Sequence, residues 1–217
     1  MIRILLVDDQ RLVRRCIAAR LNAVENFEVA GEANSGEAAR KEVREHDYDI
    51  VLMDLNMPGM GGIEATRRLI AANENVRIIG LSMYVSGPLP RHFLTSGGAG
   101  YVSKNADTDE LVGAIREVHA GNCYISKDVA QHIAAVDSRR VNPSGVDMLS
   151  AREVQVLQHI ASGLSTDSIG SRLNLSVKTV AHHRRHLLSK LEAENDVQLA
   201  TIAREYGIVD IEPLSHA

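Results

Sequence analysis

The sequence predicts two domains of different class: an α/β domain on a five-stranded parallel sheet, then an all-α domain of four helices. Three observations predict it. Short, near-continuous apolar runs alternate with amphipathic helical patterns through the first part of the chain. That is the pattern of a parallel sheet covered by helices on both faces. The stretch DSRRVNPSGVD, Asp137 to Asp147, loses this periodicity and holds Pro143 and Gly145, as a linker does. Beyond it, serines stand ahead of helical patterns and no strand pattern returns.

The elements of the first domain follow in order. Expected strands are Ile2–Val7, Phe27–Ala33, Ile50–Met53, Val76–Leu81 and a short Gly100–Val102. Between and after them lie amphipathic segments at Leu12–Leu21, Gly36–Arg44, Ile63–Ala71, Pro90–Ser96 and Thr108–His119. This domain is expected to span residues 1–121, with 122–147 as linker. Within the linker, SKDVAQHIAAV is a candidate helix.

The second domain is expected over residues 148–213. LSAREVQVLQHIASG opens on Ser150 with Glu153 three residues later, the pattern of a capping box, and Gly163 suits the C-cap. STDSIGSRLN starts at a second N-cap serine, Ser165. SVKTVAHHRRHLLSKL starts at Ser176 and offers Val177, Val180, Leu187, Leu188 and Leu191 to one face. A last helix, Asp196–Tyr206, follows. Two short helices with a tight joint at Asn174–Ser176 suit a helix-turn-helix.

Length and composition agree. The chain has 217 residues, 45% apolar and 24% charged, which suits two small soluble domains. No apolar run is long enough to span a bilayer, and no signal-peptide pattern opens the chain. Cys16 and Cys123 are too few for a disulfide framework and are expected to be reduced thiols in a cytoplasmic protein. The net charge of −4 hides an asymmetry. From Ser168 to Leu191 there is no Asp or Glu, yet Arg172, Lys178, Arg184, Arg185, Lys190 and three histidines fall there. That is the electrostatic footprint of a nucleic-acid contact, or else a solvated helix face.

In an open parallel sheet, ligands bind beyond the carboxyl ends of the strands. Asp8 and Asp9 follow the first strand, Asp54 the third, Ser82 the fourth and Lys104 the fifth. Three carboxylates brought together repel unless a cation lies among them, and oxygen-only ligands suit Mg²⁺. A carboxylate so placed can attack phosphorus and form an acyl phosphate, and an ammonium beside it suits the phosphoryl group. No Walker loop accompanies them, which argues against nucleotide binding.

At these residues the chain resembles the receiver domain of two-component response regulators. The motifs VDD, VLMDLNMPGMGG, GLS and GAGYVSK fall in the family's order and spacing. The resemblance implies a flavodoxin-like fold with Asp54 as phosphoacceptor, charged by a sensor histidine kinase. It implies that Mg²⁺ is held by Asp8, Asp9, Asp54 and the backbone carbonyl of Asn56. Lys104 and Ser82 would bind the phosphoryl group, and Tyr101 would rotate inward as they do. Met83 departs from the small residue that receivers usually carry after the switch hydroxyl, and its bulk is expected to narrow access to Asp54.

From about Leu149 to Tyr206 the chain resembles the LuxR-type helix-turn-helix of the NarL and FixJ family, and as a whole the GacA and UvrY type of regulator. The resemblance puts Ala181, His182 and Arg185 at base edges, and Lys178, Thr179, His183, Arg184 and Lys190 at phosphates. Small apolar residues at helical spacing in the last helix could pack on their own domain; the resemblance instead puts Val197, Ala200 and Ala203 in a dimer contact formed on phosphorylation, so that two recognition helices read an inverted repeat in double-stranded DNA. The His-rich AHHRRH departs from relatives that carry Asn, Thr or Tyr there. Two other functions compete. An aspartate-nucleophile phosphatase would want an acid two residues after its nucleophile, and Asn56 stands there. A protein-interaction switch without DNA binding would have no use for an acid-free basic helix.

Overall fold

The computed structural model describes residues 1–85, 87–138, 145–206 and 208–209. Residues 139–144 of the expected linker and 207 and 210–213 of the expected helical domain lie outside them. Two compact units result, one built on the sheet and one on the C-terminal helices.

The sheet unit alternates strictly. It runs β1 Ile2–Val7, α1 Arg11–Asn22, β2 Phe27–Ala33, α2 Gly36–Glu45, β3 Ile50–Asp54, α3 Gly61–Ala72 and β4 Arg77–Ser82. It continues with α4 Leu89–Thr95, β5 Gly100–Ser103, α5 Thr108–His119 and β6 Tyr124–Ile125. All strand pairs are parallel, in the order β2-β1-β3-β4-β5-β6. The sheet therefore has six strands where the sequence predicted five. The extra strand is only two residues long, too short to show alternation, and it pairs beyond residue 121 in what was expected to be linker.

The central strands are buried on both faces, which is why they read as unbroken apolar runs. Ile4, Leu6, Ile50, Leu52, Ile79, Leu81 and Val102 point to one face. There they share a core with Leu21 of α1 and Ala114, Ile115 and Val118 of α5. The strand order reverses beside β1, between β2 and β3, and this places the candidate site at the ends of β1 and β3.

The helical unit follows α6 Lys127–Ser138, a helix the sequence anticipated inside the linker. A 3₁₀ turn, Gly145–Met148, leads into α7 Ala151–Ala161, α8 Thr166–Leu173, α9 Val177–Lys190 and α10 Asp196–Glu205. Ser150, Ser165, Ser176 and Asn195 each cap a helix by accepting a backbone N–H three residues on. The joint between α8 and α9 turns on Asn174, whose φ of 53° is left-handed. There Leu175 N–H donates to the Gly170 carbonyl at 2.8 Å. Within α9 only Val180 and Leu187 are buried. Val177, expected on the inward face, is 48% exposed because it lies at the first turn, outside that two-residue seam.

Candidate functional site

Parallel pairing carries the acidic residues to one end of the sheet. Asp54 closes β3 opposite Leu81, and Ser82 closes β4 opposite Ser103, so Lys104 emerges directly beside them. The Lys104 ammonium lies 2.7 Å from Asp8 Oδ2 and 2.9 Å from Asp54 Oδ2. Each buried carboxylate turns its other oxygen to a backbone N–H two residues on: Asp8 Oδ1 to Gln10 at 2.8 Å, Asp54 Oδ1 to Asn56 at 2.9 Å. Both are thus held by the same local turn and bridged by one ammonium. Asp9 stays exposed at the rim.

Ligand oxygens of Asp8, Asp9 and Asp54 all lie within 4.8 Å of one another, near enough to share one cation. The charge balance asks for it: three carboxylates face one ammonium. Burial pushes the Asp54 carboxyl above its ordinary range, against the pull of Lys104. Burial and then the neighbouring Asp8 push Asp9 up in the same direction. Lys104 is partly buried, which disfavours its charge, but Asp54 and Asp8 outweigh this and hold the ammonium firmly protonated. Hard oxygen donors with surplus negative charge fit a small divalent cation such as Mg²⁺.

Two supports of this site escaped the sequence. Arg14 of α1 donates to the Asp8 carbonyl at 2.6 Å and pairs with Glu32 of β2 at 3.0 Å, which pins the β1 exit. Gly62, at the start of α3, would carry a Cβ only 2.2 Å from the Asp54 carbonyl oxygen. Glycine there lets the helix close directly onto the end of β3 at Asp54. Farther along the edge, Tyr101 is fully buried, its side chain hydrogen-bonded to that of Ser82 and its ring 5.9 Å from Phe93. Its ring thus already occupies the inward position expected to follow switching. Met83 is 44% exposed just past Ser82.

The basic helix divides by burial. Lys178, His182, Arg185 and His186 are exposed, while Thr179, Ala181, His183 and Arg184 are half-buried. Two of the expected phosphate contacts have partners in their own unit. Arg184 Nε donates to Asp196 Oδ1 of α10 at 2.6 Å, and Lys190 Nζ to Glu153 Oε2 of α7 at 2.8 Å. Of the expected dimer contacts, Val197 is exposed and Ala200 half-buried. Ala203 is a correction. It is fully buried in the unit's own core, where α10 packs on α7, and has no surface to offer a partner.

Glu153 is a keystone that the sequence showed only as a cap. Its carboxylate accepts from Ser150 N–H at 2.8 Å and Ser150 Oγ at 2.9 Å as well as from Lys190. Burial alone would raise its pKa; Lys190 and the Ser150 donors outweigh that and hold it below the ordinary value. A depressed carboxyl stabilises the fold above its unfolded pKa, about 4.3 for glutamate, and loses that contribution as pH falls through the folded value. Glu153→Gln should therefore cost about 1–3 kcal/mol near neutral pH and little in strong acid. Thermal melts of the full chain across the acid range check this; an equal loss at every pH would refute it.

No helix among the described residues is long and apolar enough to cross a membrane. Residues 4–116 match the response regulator receiver domain, and residues 147–203 match the LuxR family of bacterial regulatory proteins. The chain is 41% identical over 219 residues to the response regulator UvrY of Escherichia coli K12, covering 99% of each chain. It is 40% identical over 211 residues to the response regulator GacA of Pseudomonas aeruginosa, covering 97% of this chain and 99% of that one. A crystal structure of a LuxR-family two-component response regulator from Aurantimonas sp. SI85-9A1 matches with a TM-score of 0.61 at 37% identity. It covers 63% of this chain and 98% of that one.

Proposed function

The chain belongs to the response regulators that join a receiver domain to a LuxR-type helix-turn-helix domain, and on that premise we propose that a sensor histidine kinase charges Asp54 and thereby controls promoter binding through α9. The single observation that carries the first half is the Lys104 ammonium bridging Asp8 and Asp54 at the β1 and β3 exits.

Asp54 acts as nucleophile. One carboxylate oxygen forms a bond to phosphorus while the bond to the kinase's phosphohistidine nitrogen breaks, and the imidazole leaves with a proton. Asp8, Asp9, Asp54 and the Asn56 carbonyl are the residues that would hold Mg²⁺, and a bound Mg²⁺ would supply charge neutralisation at the phosphoryl oxygens. Lys104 pairs with the new phosphoryl group, and the Ser82 hydroxyl turns to donate to it. That shift biases the loop after β4 between two arrangements, and Tyr101, already inward beside Ser82, holds the switched one. Turnover is single: the product is the labelled regulator itself, not released phosphate. With a kinase and chromosomal DNA as partners, the protein works in the cytoplasm.

In DNA, Ala181, His182 and Arg185 of α9 read base edges in the major groove. Lys178, Thr179, His183, Arg184 and Lys190 lie along phosphates, the Arg184 and Lys190 charges already balanced by Asp196 and Glu153. Val197 and Ala200 form the contact between two copies on an inverted repeat. Genome-wide occupancy of wild type against Asp54→Ala tests the whole reading. Loss of promoter peaks in the variant supports it, and unchanged occupancy overturns the dependence on Asp54.

Met83 controls access to Asp54 by its bulk. Met83→Ala should speed labelling by a small phosphodonor such as acetyl phosphate, since only the approach is widened. Stopped reactions resolved on phosphate-affinity gels give the rate, and an unchanged or slower rate removes Met83 from this role.

A further inference from the structure

We propose that His182 and His186 of α9 form a binding site for an imidazole-seeking transition-metal dication of the Zn²⁺, Ni²⁺ and Cu²⁺ class, and that this metal and DNA exclude one another. The two histidines are four residues apart and so share one helix face. Their ring centroids are 4.1 Å apart with the planes inclined at 52°, and both residues are exposed. Two histidines at this spacing on one helix are a metal-chelating pattern. His183 is not part of it: one residue on is a turn of about 100°, and its ring is half-buried.

A second observation points the same way. Nδ1 of His186 lies 3.8 Å from Oε1 of the buried Glu153, an ion-pair distance that sets the Nδ1 edge of the ring beside a carboxylate. A carboxylate behind a histidine is the arrangement that orients metal-ligating imidazoles. Two ring nitrogens leave the remaining coordination positions to water, as a tetrahedral dication allows. Nitrogen donors without a first-sphere carboxylate suit zinc, nickel or copper and not Mg²⁺. The two cation sites of this chain would thus differ in metal: oxygen donors at Asp8, Asp9 and Asp54, nitrogen donors on α9.

The metal site stands on this geometry alone. Its opposition to DNA rests on α9 being the reading helix, because a metal on His182 occupies the face that would enter the groove. By linkage the exclusion is reciprocal: DNA should expel the metal as the metal expels DNA.

The experiment is a calorimetric titration of Zn²⁺ into the full-length protein in excess Mg²⁺, which keeps the acid cluster occupied. Wild type should show one Zn²⁺ site that His182→Asn with His186→Asn removes. Each single variant should weaken it about tenfold or more, and His119→Asn, on α5, should leave it. Histidine-labelled NMR should show the His182 and His186 rings responding together. A site that survives in the double variant overturns the proposal. In a second arm, a promoter duplex is added to Zn²⁺-loaded protein with a chromophoric indicator. Release of Zn²⁺ supports exclusion, and a duplex that binds without release overturns the exclusion while leaving the site. A protein that takes Zn²⁺ on these histidines but binds no duplex refutes the DNA reading and not the metal site.

Discussion

Asp54→Asn should take no phosphoryl label at all from acetyl phosphate in Mg²⁺, where wild type takes one equivalent. The asparagine keeps the size of the side chain and can still meet the Asn56 N–H. It loses the anionic oxygen that lies 2.9 Å from Lys104 and would attack phosphorus. Asp9→Ala should slow labelling without abolishing it, because it removes one of three metal-facing carboxylates and leaves the nucleophile. A hydroxylamine-sensitive, alkali-labile radiolabel followed by peptide mapping checks both. A label that persists in Asp54→Asn, or that forms equally well in EDTA, sinks the assignment.

Arg185→Ala should cost about 1–3 kcal/mol on a specific duplex, or about 5–150-fold in Kd, and relax preference at one base position. Arg185 is exposed on α9 with a planar fork suited to guanine O6 and N7. Lys178→Ala should instead weaken binding to every sequence alike and lower the salt slope by roughly one unit. Arg184→Ala should lower that slope by less, since its charge is already paired with Asp196 across a half-exposed surface. Phosphorylation should tighten specific binding by a coupling of about 1–3 kcal/mol. Anisotropy on specific and scrambled duplexes over a salt series separates these effects. Equal losses on both duplexes for Arg185→Ala would remove it from base reading.

What the sequence could and could not show follows from the range of the interactions. β1 and β3 were legible because burial on both faces writes itself as a continuous apolar run. Asp8, Asp54, Ser82 and Lys104 were legible as strand-end residues, since the order of elements alone brings strand ends together. The Lys104 bridge was not, because it depends on parallel register carried across four strands, joining Lys104 to Asp8 over 96 residues. Glu153 was legible only as a capping residue. Its bond to Lys190 joins α7 to α9 over 37 residues, with no periodic trace. Ala203 was ambiguous in principle: a small apolar residue at helical spacing reads the same whether its own core or a second copy covers it.

The short sixth strand has a further consequence. A parallel sheet ends in two rows of unpaired peptide groups, and such rows invite strands from other chains. β6 reduces one row to two residues before the chain turns into α6. The other row belongs to the seven-residue β2, which carries Glu28 and Glu32. These acids pair with Arg3 and Arg14 of their own unit. A second copy arriving edge to edge would have to strip water from those pairs and set acid against acid. The sheet margins are thus guarded against edge-to-edge stacking of copies.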